Sequence, residues 1–117
     1  MKNPTRLELC NCFAARQAAR HLTKLYERHL SGADLTSAQF SILVALDDVG
    51  EMTMNELAKA LVMDRTTLLR AIKPLQRDEL IVSRPSADDV RRLVFSLSSA
   101  GTRRLKKAMA LWSTAQK

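Results

Sequence analysis

The chain has 117 residues, a length typical of one domain rather than two. Lysine and arginine number 19 against 12 acidic residues, a formal net charge of +7 that favours a polyanionic partner such as nucleic acid or an anionic membrane surface. No apolar run approaches the roughly 18 residues of a membrane span, and the N-terminus lacks the apolar core of a signal peptide. We therefore expect a cytoplasmic protein with no membrane partner.

The first predicted helix covers residues 6–30 and is amphipathic. It contains neither Gly nor Pro, and its apolar residues recur at helical spacing on one face, with basic residues on the other. Ser31 and Gly32 end it. Leu9 and Phe13 fall on the polar side, which indicates either that a second subunit covers this end or that an apolar side chain is simply exposed there.

Three further helices begin at recognisable capping residues. Thr36 with Gln39, and Thr53 with Glu56, have the spacing of a capping box. The next start is Asp64, whose carboxylate can accept hydrogen bonds from the first turn of "MDRTTLLRAIKPLQRDEL". Pro74 lies inside that helix and predicts a local bend on its outer side.

The period then changes from helical to alternating. The runs "LIVSRP" and "RRLVFSLS" on either side of "SADD" predict a hairpin with a charged tip. A basic amphipathic helix follows, with Leu105, Met109 and Trp112 on its apolar face. Two short helices joined by a tight turn and followed by a hairpin are typical of a winged helix-turn-helix, so the predicted fold is mainly α with a small β-hairpin.

A cationic stripe runs along the helix that follows Asp64. Its members recur at intervals of four, three and four residues: Thr66, Arg70, Lys73 and Arg77. The apolar residues of the opposite face are Leu68, Leu69, Ile72 and Leu75. A solvated charged face is the commonest explanation of such a stripe, but the absence of interleaved carboxylates favours contact with DNA.

The side chains of this stripe are suited to different DNA contacts. Arg70 can present its guanidinium fork to guanine in the major groove, whereas Thr66 and Thr67 can reach phosphates or a thymine methyl. Lys73 and Arg77 lie further along and are expected to meet backbone phosphates.

The hairpin tip "DDVRR" is a second cationic element. A wing that crosses the DNA backbone can place an arginine in the adjacent minor groove. Asp89, two residues before Arg91, can orient that arginine through a charge-assisted hydrogen bond. The alternative is a flexible polar turn in which both arginines are merely solvated.

From about residue 8 to residue 112 the chain resembles the MarR family of bacterial transcription regulators. The resemblance rests on "LTSAQFSILVAL", "MTMNELAKALVMDRTTLLRAIKPLQRDELI" and "DDVRRLVFSLSSAG". It implies a winged-helix homodimer that binds palindromic double-stranded operator DNA, as a repressor released by a small-molecule effector or an oxidant, without a cofactor. It also implies dimerisation helices at residues 6–30 and 100–117, with the DNA-binding region between them at residues 36–98.

The resemblance assigns the DNA contacts by position. Thr66, Thr67 and Arg70 would read the major groove, Arg91 would enter the minor groove, and the phosphate contacts would be Arg65, Lys73 and Arg92. Family members usually continue into a longer C-terminal helical region that completes the dimer interface, whereas this chain ends within the first of those helices.

The segment "CFAARQAARHLTKLY" also resembles the organic-hydroperoxide-sensing branch of that family. Cys12 would be the reactive thiol and Tyr26 one of the tyrosines that lower its pKa. Arg16 stands where a second tyrosine is expected and, one helical turn beyond Cys12, can itself stabilise a thiolate. The competing interpretation is that Cys12 is a small apolar residue at the edge of the packed face. No metal site is predicted.

Two other function classes remain open. A winged helix with basic flanking helices can serve as an interaction module that binds an acidic protein. An enzyme is the least supported class, because the chain has no phosphate-cradling glycine loop, no paired-histidine metal motif and no nucleophile elbow.

Overall fold

The structure, a computed structural model, describes residues 3–117; residues 1 and 2 of the predicted domain lie outside the described residues. The elements in chain order are α1 (Asn11–Leu30), a short 3-10 turn (Ser31–Ala33), α2 (Ser37–Val49), β1 (Met52–Thr53), α3 (Met54–Leu61), α4 (Arg65–Arg77), β2 (Ile81–Pro85), β3 (Leu93–Leu97) and α5 (Ser99–Ala115). The predicted order of four helices, a hairpin and a last helix is confirmed. No helix within residues 3–117 is long and apolar enough to cross a membrane.

The first helix begins later than predicted. Thr5 and Glu8 form a separate turn: the N–H of Thr5 donates to Oε2 of Glu8 at 2.7 Å, and the N–H of Glu8 donates to Oγ1 of Thr5 at 3.2 Å. Cys10 then adopts an extended conformation, so α1 starts at Asn11 and not at residue 6. The prediction was wrong here because this local turn competes with the helix for the same backbone donors.

The capping predictions for α2 and α3 are confirmed. Thr36 and Gln39 form a capping box, and so do Thr53 and Glu56. The apolar residues that α2 buries against the rest of the chain are Phe40, Ile42, Leu43 and Leu46.

The tight turn between α3 and α4 depends on Val62. This residue has left-handed backbone angles, φ 52° and ψ 49°, which β-branched residues rarely adopt. Its side chain is 91% exposed, so packing does not compensate for that conformation. The turn sets α4 beside α3, and α4 continues through Pro74 to Arg77.

The sheet has three strands rather than the two of the predicted hairpin. Its order is β1-β3-β2 with antiparallel pairing, and Met52 of β1 lies opposite Phe95 of β3. A two-residue strand has no alternating pattern that sequence periodicity could detect. An ion pair on the outer face joins Arg84 of β2 to Glu51 just before β1, with Nε of Arg84 donating to Oε1 of Glu51 at 3.1 Å.

The last helix is capped by Ser98, whose Oγ accepts from the N–H of Gly101 at 3.0 Å. Leu105 and Ala108 are buried, and the Trp112 ring stacks on Phe40 with 6.5 Å between centroids. Met109, predicted on this apolar face, is 38% exposed instead. Leu69, likewise predicted to pack, is 40% exposed on α4. Both residues lie at the border of an apolar stripe, where small rotations of a helix decide which side chains are covered.

The molecule is elongated, with extents of 62 × 31 × 22 Å. Its core is formed between α2, α3, α4, the sheet and α5, and within residues 3–117 it contains no buried polar side chain. Leu30 alone of α1 is buried, whereas Leu7, Leu9 and Leu22 are 54–67% exposed. The chain itself therefore leaves the N-terminal part of the predicted apolar face exposed, including Leu22, whereas Leu25 and Tyr26 near the end of α1 are half-buried.

Candidate nucleic-acid interface

The start of α4 is held by Asp64. The N–H of Thr67 donates to Oδ1 of Asp64 at 2.7 Å, and the Thr67 hydroxyl lies 3.0 Å from Oδ2. Both bonds lower the pKa of Asp64, and the bond from the backbone N–H of Thr67 is the larger cause. Because an ionised carboxylate only accepts, Thr67 must donate its hydroxyl proton to Asp64. Thr67 thus presents a methyl group and acceptor lone pairs at the surface, and Thr66 beside it is also exposed.

The predicted stripe lies on the exposed face of α4. Thr66, Arg70, Lys73 and Arg77 are all exposed, and Leu68, Ile72 and Leu75 are buried beneath them. Arg77 pairs with its neighbour Asp78, Nε to Oδ1 at 3.3 Å. None of the ion pairs within residues 3–117 involves Arg70 or Lys73. Their positive charges are therefore available to an external anion.

The wing has the local geometry that the sequence predicted. Nε of Arg91 donates to Oδ1 of Asp89 at 3.2 Å, and the backbone N–H of Arg91 donates to the same oxygen at 3.0 Å. Both bonds lower the pKa of Asp89, and the bond from the backbone N–H of Arg91 is the largest cause. The charge of nearby Arg92 lowers this pKa further. The Arg91 side chain is 88% exposed, so Asp89 orients it without enclosing it.

A half-open cleft of about 400 Å³ joins α4 to the wing. Arg65 of α4 lines it together with Arg91 and Arg92 of the wing, and Phe95 forms part of its apolar lining. Nη1 of Arg65 donates to Oδ1 of Asn55 in α3 at 3.3 Å. Sequence reasoning missed Asn55, because no local pattern links it to a residue ten positions further along the chain.

Within one chain the structure places Arg16 one helical turn from Cys12 but leaves Tyr26 far from both. Cys12 and Arg16 are exposed near the start of α1. Tyr26 lies on the same helix roughly 21 Å away, as 14 residues at 1.5 Å each require. Its hydroxyl donates to Gln116 in the chain's last residues. Contact between Tyr26 and Cys12 would require a second copy of the chain.

The α3-turn-α4 unit, followed by the β2-β3 hairpin and backed by β1, defines a winged helix-turn-helix protein. The MarR family model matches residues 35–93, half of the chain, which comprises α2, the helix-turn-helix and most of the wing. This chain belongs to the MarR family.

Relatives and solved structures agree with that assignment. The transcriptional repressor NicR of Pseudomonas putida is 31% identical over 86 residues, 74% of this chain and 54% of its own. The organic hydroperoxide resistance transcriptional regulator of Bacillus subtilis is 28% identical over 109 residues, 93% of this chain and 74% of its own. The chain thus spans about half the length of NicR and three quarters of the Bacillus protein.

Among solved structures, the M. tuberculosis transcriptional regulator MosR in complex with DNA superposes with a TM-score of 0.83. It is 37% identical and covers 92% of this chain, which in turn covers 77% of that one.

Proposed function

We propose that this protein is a DNA-binding transcription regulator that acts as a homodimer on a palindromic operator, in the cytoplasm, as a repressor and not as an enzyme. The observation that carries the proposal is the combination of unpaired, exposed Arg70 and Lys73 on α4 with the oriented, exposed Arg91 on the wing. Arginine and lysine in this arrangement suit base edges and phosphates, respectively.

Dimerisation is supported by the surface that the chain leaves exposed. A monomeric protein of 13.1 kDa is expected to have a surface of about 6,400 Å², whereas this chain exposes 8467 Å². The radius of gyration, 17.0 Å, also exceeds the roughly 13 Å of a compact domain of this length. The excess area is sufficient for a standard protein interface. We assign it to α1 with its preceding turn and to α5, within the predicted dimerisation segments at residues 6–30 and 100–117.

We assign base reading to Arg70 with Thr66 and Thr67, minor-groove contact to Arg91, and backbone contact to Arg65, Lys73, Arg77 and Arg92, with Asp89 orienting Arg91. Arg70→Ala should cost roughly 1 to 3 kcal/mol of operator binding and relax base preference, as loss of a bidentate base contact does. Arg77→Ala should weaken binding to all DNA sequences by a similar factor because a phosphate contact carries no sequence information.

The test begins with selection of preferred duplexes from a random pool, followed by affinity measurements across a salt series. A regulator should give a steep salt slope and a large preference for the selected site. Equal, weak affinity for every duplex would favour an interaction module for an acidic protein instead. If Arg70→Ala and Arg77→Ala change affinity and base preference alike, the assignment of base and phosphate roles is wrong.

The signal that releases DNA is proposed to be an oxidant or a small organic effector. Support for the oxidant comes from the exposed Cys12, from Arg16 one turn beyond it, and from similarity to the Bacillus hydroperoxide resistance regulator. Tyr26 would take part only from the partner subunit. Titration with an organic hydroperoxide should lower operator affinity as Cys12 is oxidised, and Cys12→Ser should abolish the response. Unchanged affinity with a fully oxidised Cys12 would exclude this role.

A further inference from the structure

The cleft between α3, α4 and the wing brings together arginines that are distant in the chain. Arg65 stands at the first residue of α4, and Arg92 follows 27 positions later in the wing. Both line the same half-open space of about 400 Å³.

These two arginines differ from Arg91 in how their charge is compensated. Arg91 is committed to Asp89 through side-chain bonds of 3.2 and 3.4 Å. Arg92 approaches Asp89 only to 3.9 Å, and Arg65 donates to the neutral amide oxygen of Asn55. Both therefore keep guanidinium donors for a further acceptor.

One carboxylate, Glu56, also lines the cleft. Its Oε1 accepts the backbone N–H of Thr53 at 3.1 Å, and this bond is the first cause of a lowered Glu56 pKa, with the charge of Arg92 contributing. Glu56 therefore stays ionised, but it is engaged by the capping box and stands against three arginines. The cleft keeps a net positive charge.

We propose that Arg65 and Arg92 bind the same phosphate of the DNA backbone in this cleft, and that Asn55 is the positioning residue that aims Arg65. A phosphate presents enough acceptor oxygens for two guanidinium groups. Such a shared contact couples the position of α4 in the major groove to that of the wing in the minor groove. The inference rests on the proposed function and specifies one of its contacts.

The test uses the selected operator as a set of synthetic duplexes, each with one phosphate replaced by a neutral methylphosphonate. One phosphate in each half-site should be the shared one. When methylphosphonate replaces it, the wild-type protein should bind that duplex roughly tenfold more weakly, as expected for the loss of charge-assisted hydrogen bonds. In Arg65→Ala and in Arg92→Ala, replacement at that same position should change affinity less than twofold. Both side chains are exposed, so these variants should fold, and their thermal unfolding verifies it.

Two matched variants complete the experiment. Lys73→Ala alters an exposed cation outside the cleft. This variant should still bind tenfold more weakly when the shared phosphate is replaced, but replacement of a different phosphate should no longer change its affinity. In Asn55→Ala, replacement of the shared phosphate should cause a smaller loss of affinity than in the wild type, and no other phosphate should become sensitive instead. The unfolding midpoint of this variant should not be lowered. A merely structural Asn55 would lower the midpoint and leave the phosphate profile unchanged.

The inference is overturned if Arg65→Ala and Arg92→Ala remove sensitivity at two different phosphates, or if either leaves the whole profile unchanged. Selection that yields no preferred sequence would instead refute the proposed function and this inference with it. The two failures are therefore distinguishable.

Discussion

Gly101 offers the sharpest test of how the wing is attached to the last helix. It is buried in the first turn of α5, and a Cβ placed on it would lie 1.9 Å from the carbonyl oxygen of Leu80 and 2.9 Å from its carbonyl carbon. That oxygen belongs to backbone and accepts the N–H of Ser98 at 3.0 Å and its hydroxyl at 3.1 Å. The residue at position 101 therefore sets how closely α5 approaches the chain that enters β2.

Gly101→Ala should destabilise the fold by about 2 to 4 kcal/mol. Relief of the clash requires a shift of about 1.5 Å, and overpacking of this kind costs about 1 to 3 kcal/mol. Separation of Ser98 from Leu80 would remove hydrogen bonds worth about 1 kcal/mol each. The better helix propensity of alanine offsets about 1 kcal/mol of this destabilisation. At this chain length each kcal/mol lowers the unfolding midpoint by about 4 °C.

The assay is thermal and urea unfolding followed by circular dichroism at matched protein concentrations, because the stability of the proposed dimer would depend on protein concentration. Gly32→Ala is the matched control. Its added Cβ would meet Cδ1 of Leu111 at 3.1 Å, a side-chain atom that can rotate away, so the expected change is within about 1 kcal/mol. If both variants unfold at the same midpoint, the reasoning from the Leu80 carbonyl is refuted.

Further predictions concern the turn, the cap and the wing. Val62→Gly should raise stability by roughly 0.5 to 1 kcal/mol in urea unfolding, because glycine relieves the left-handed strain while the exposed valine loses no packing; a less stable variant would contradict this. Ser98→Ala should cost about 1 to 2 kcal/mol by removing the N-cap of α5, and a Ser98→Thr variant should retain most of it. Asp89 has a pKa below its ordinary 3.8, so its ionised form stabilises the fold above that pH, and this contribution is lost as pH falls through the lowered value. Unfolding measured from pH 2 to 5 should therefore depend less steeply on pH in Asp89→Asn than in the wild type, and an identical pH dependence would show that the Arg91 contact does not persist in solution.

Much of the candidate site could be predicted from the sequence because its determinants are local. Thr53 with Glu56, Asp64 with Thr67, and Asp89 with Arg91 are each two or three residues apart, so backbone geometry alone brings the partners together. The stripe containing Arg70 follows in the same way from the helical period. These interactions need no knowledge of what the helix packs against.

Only the tertiary structure decided the features that join distant segments. Strand β1 exists because β3 offers it a hydrogen-bonding edge, and the bond from Arg65 to Asn55 exists because the turn at Val62 sets α4 beside α3. Met109 and Leu69 lie at the borders of apolar stripes, so their exposure depends on how each helix is rotated against its neighbours. The cleft that holds Arg65 and Arg92 belongs to this group too: sequence spacing identifies two cations, whereas packing places them around one space.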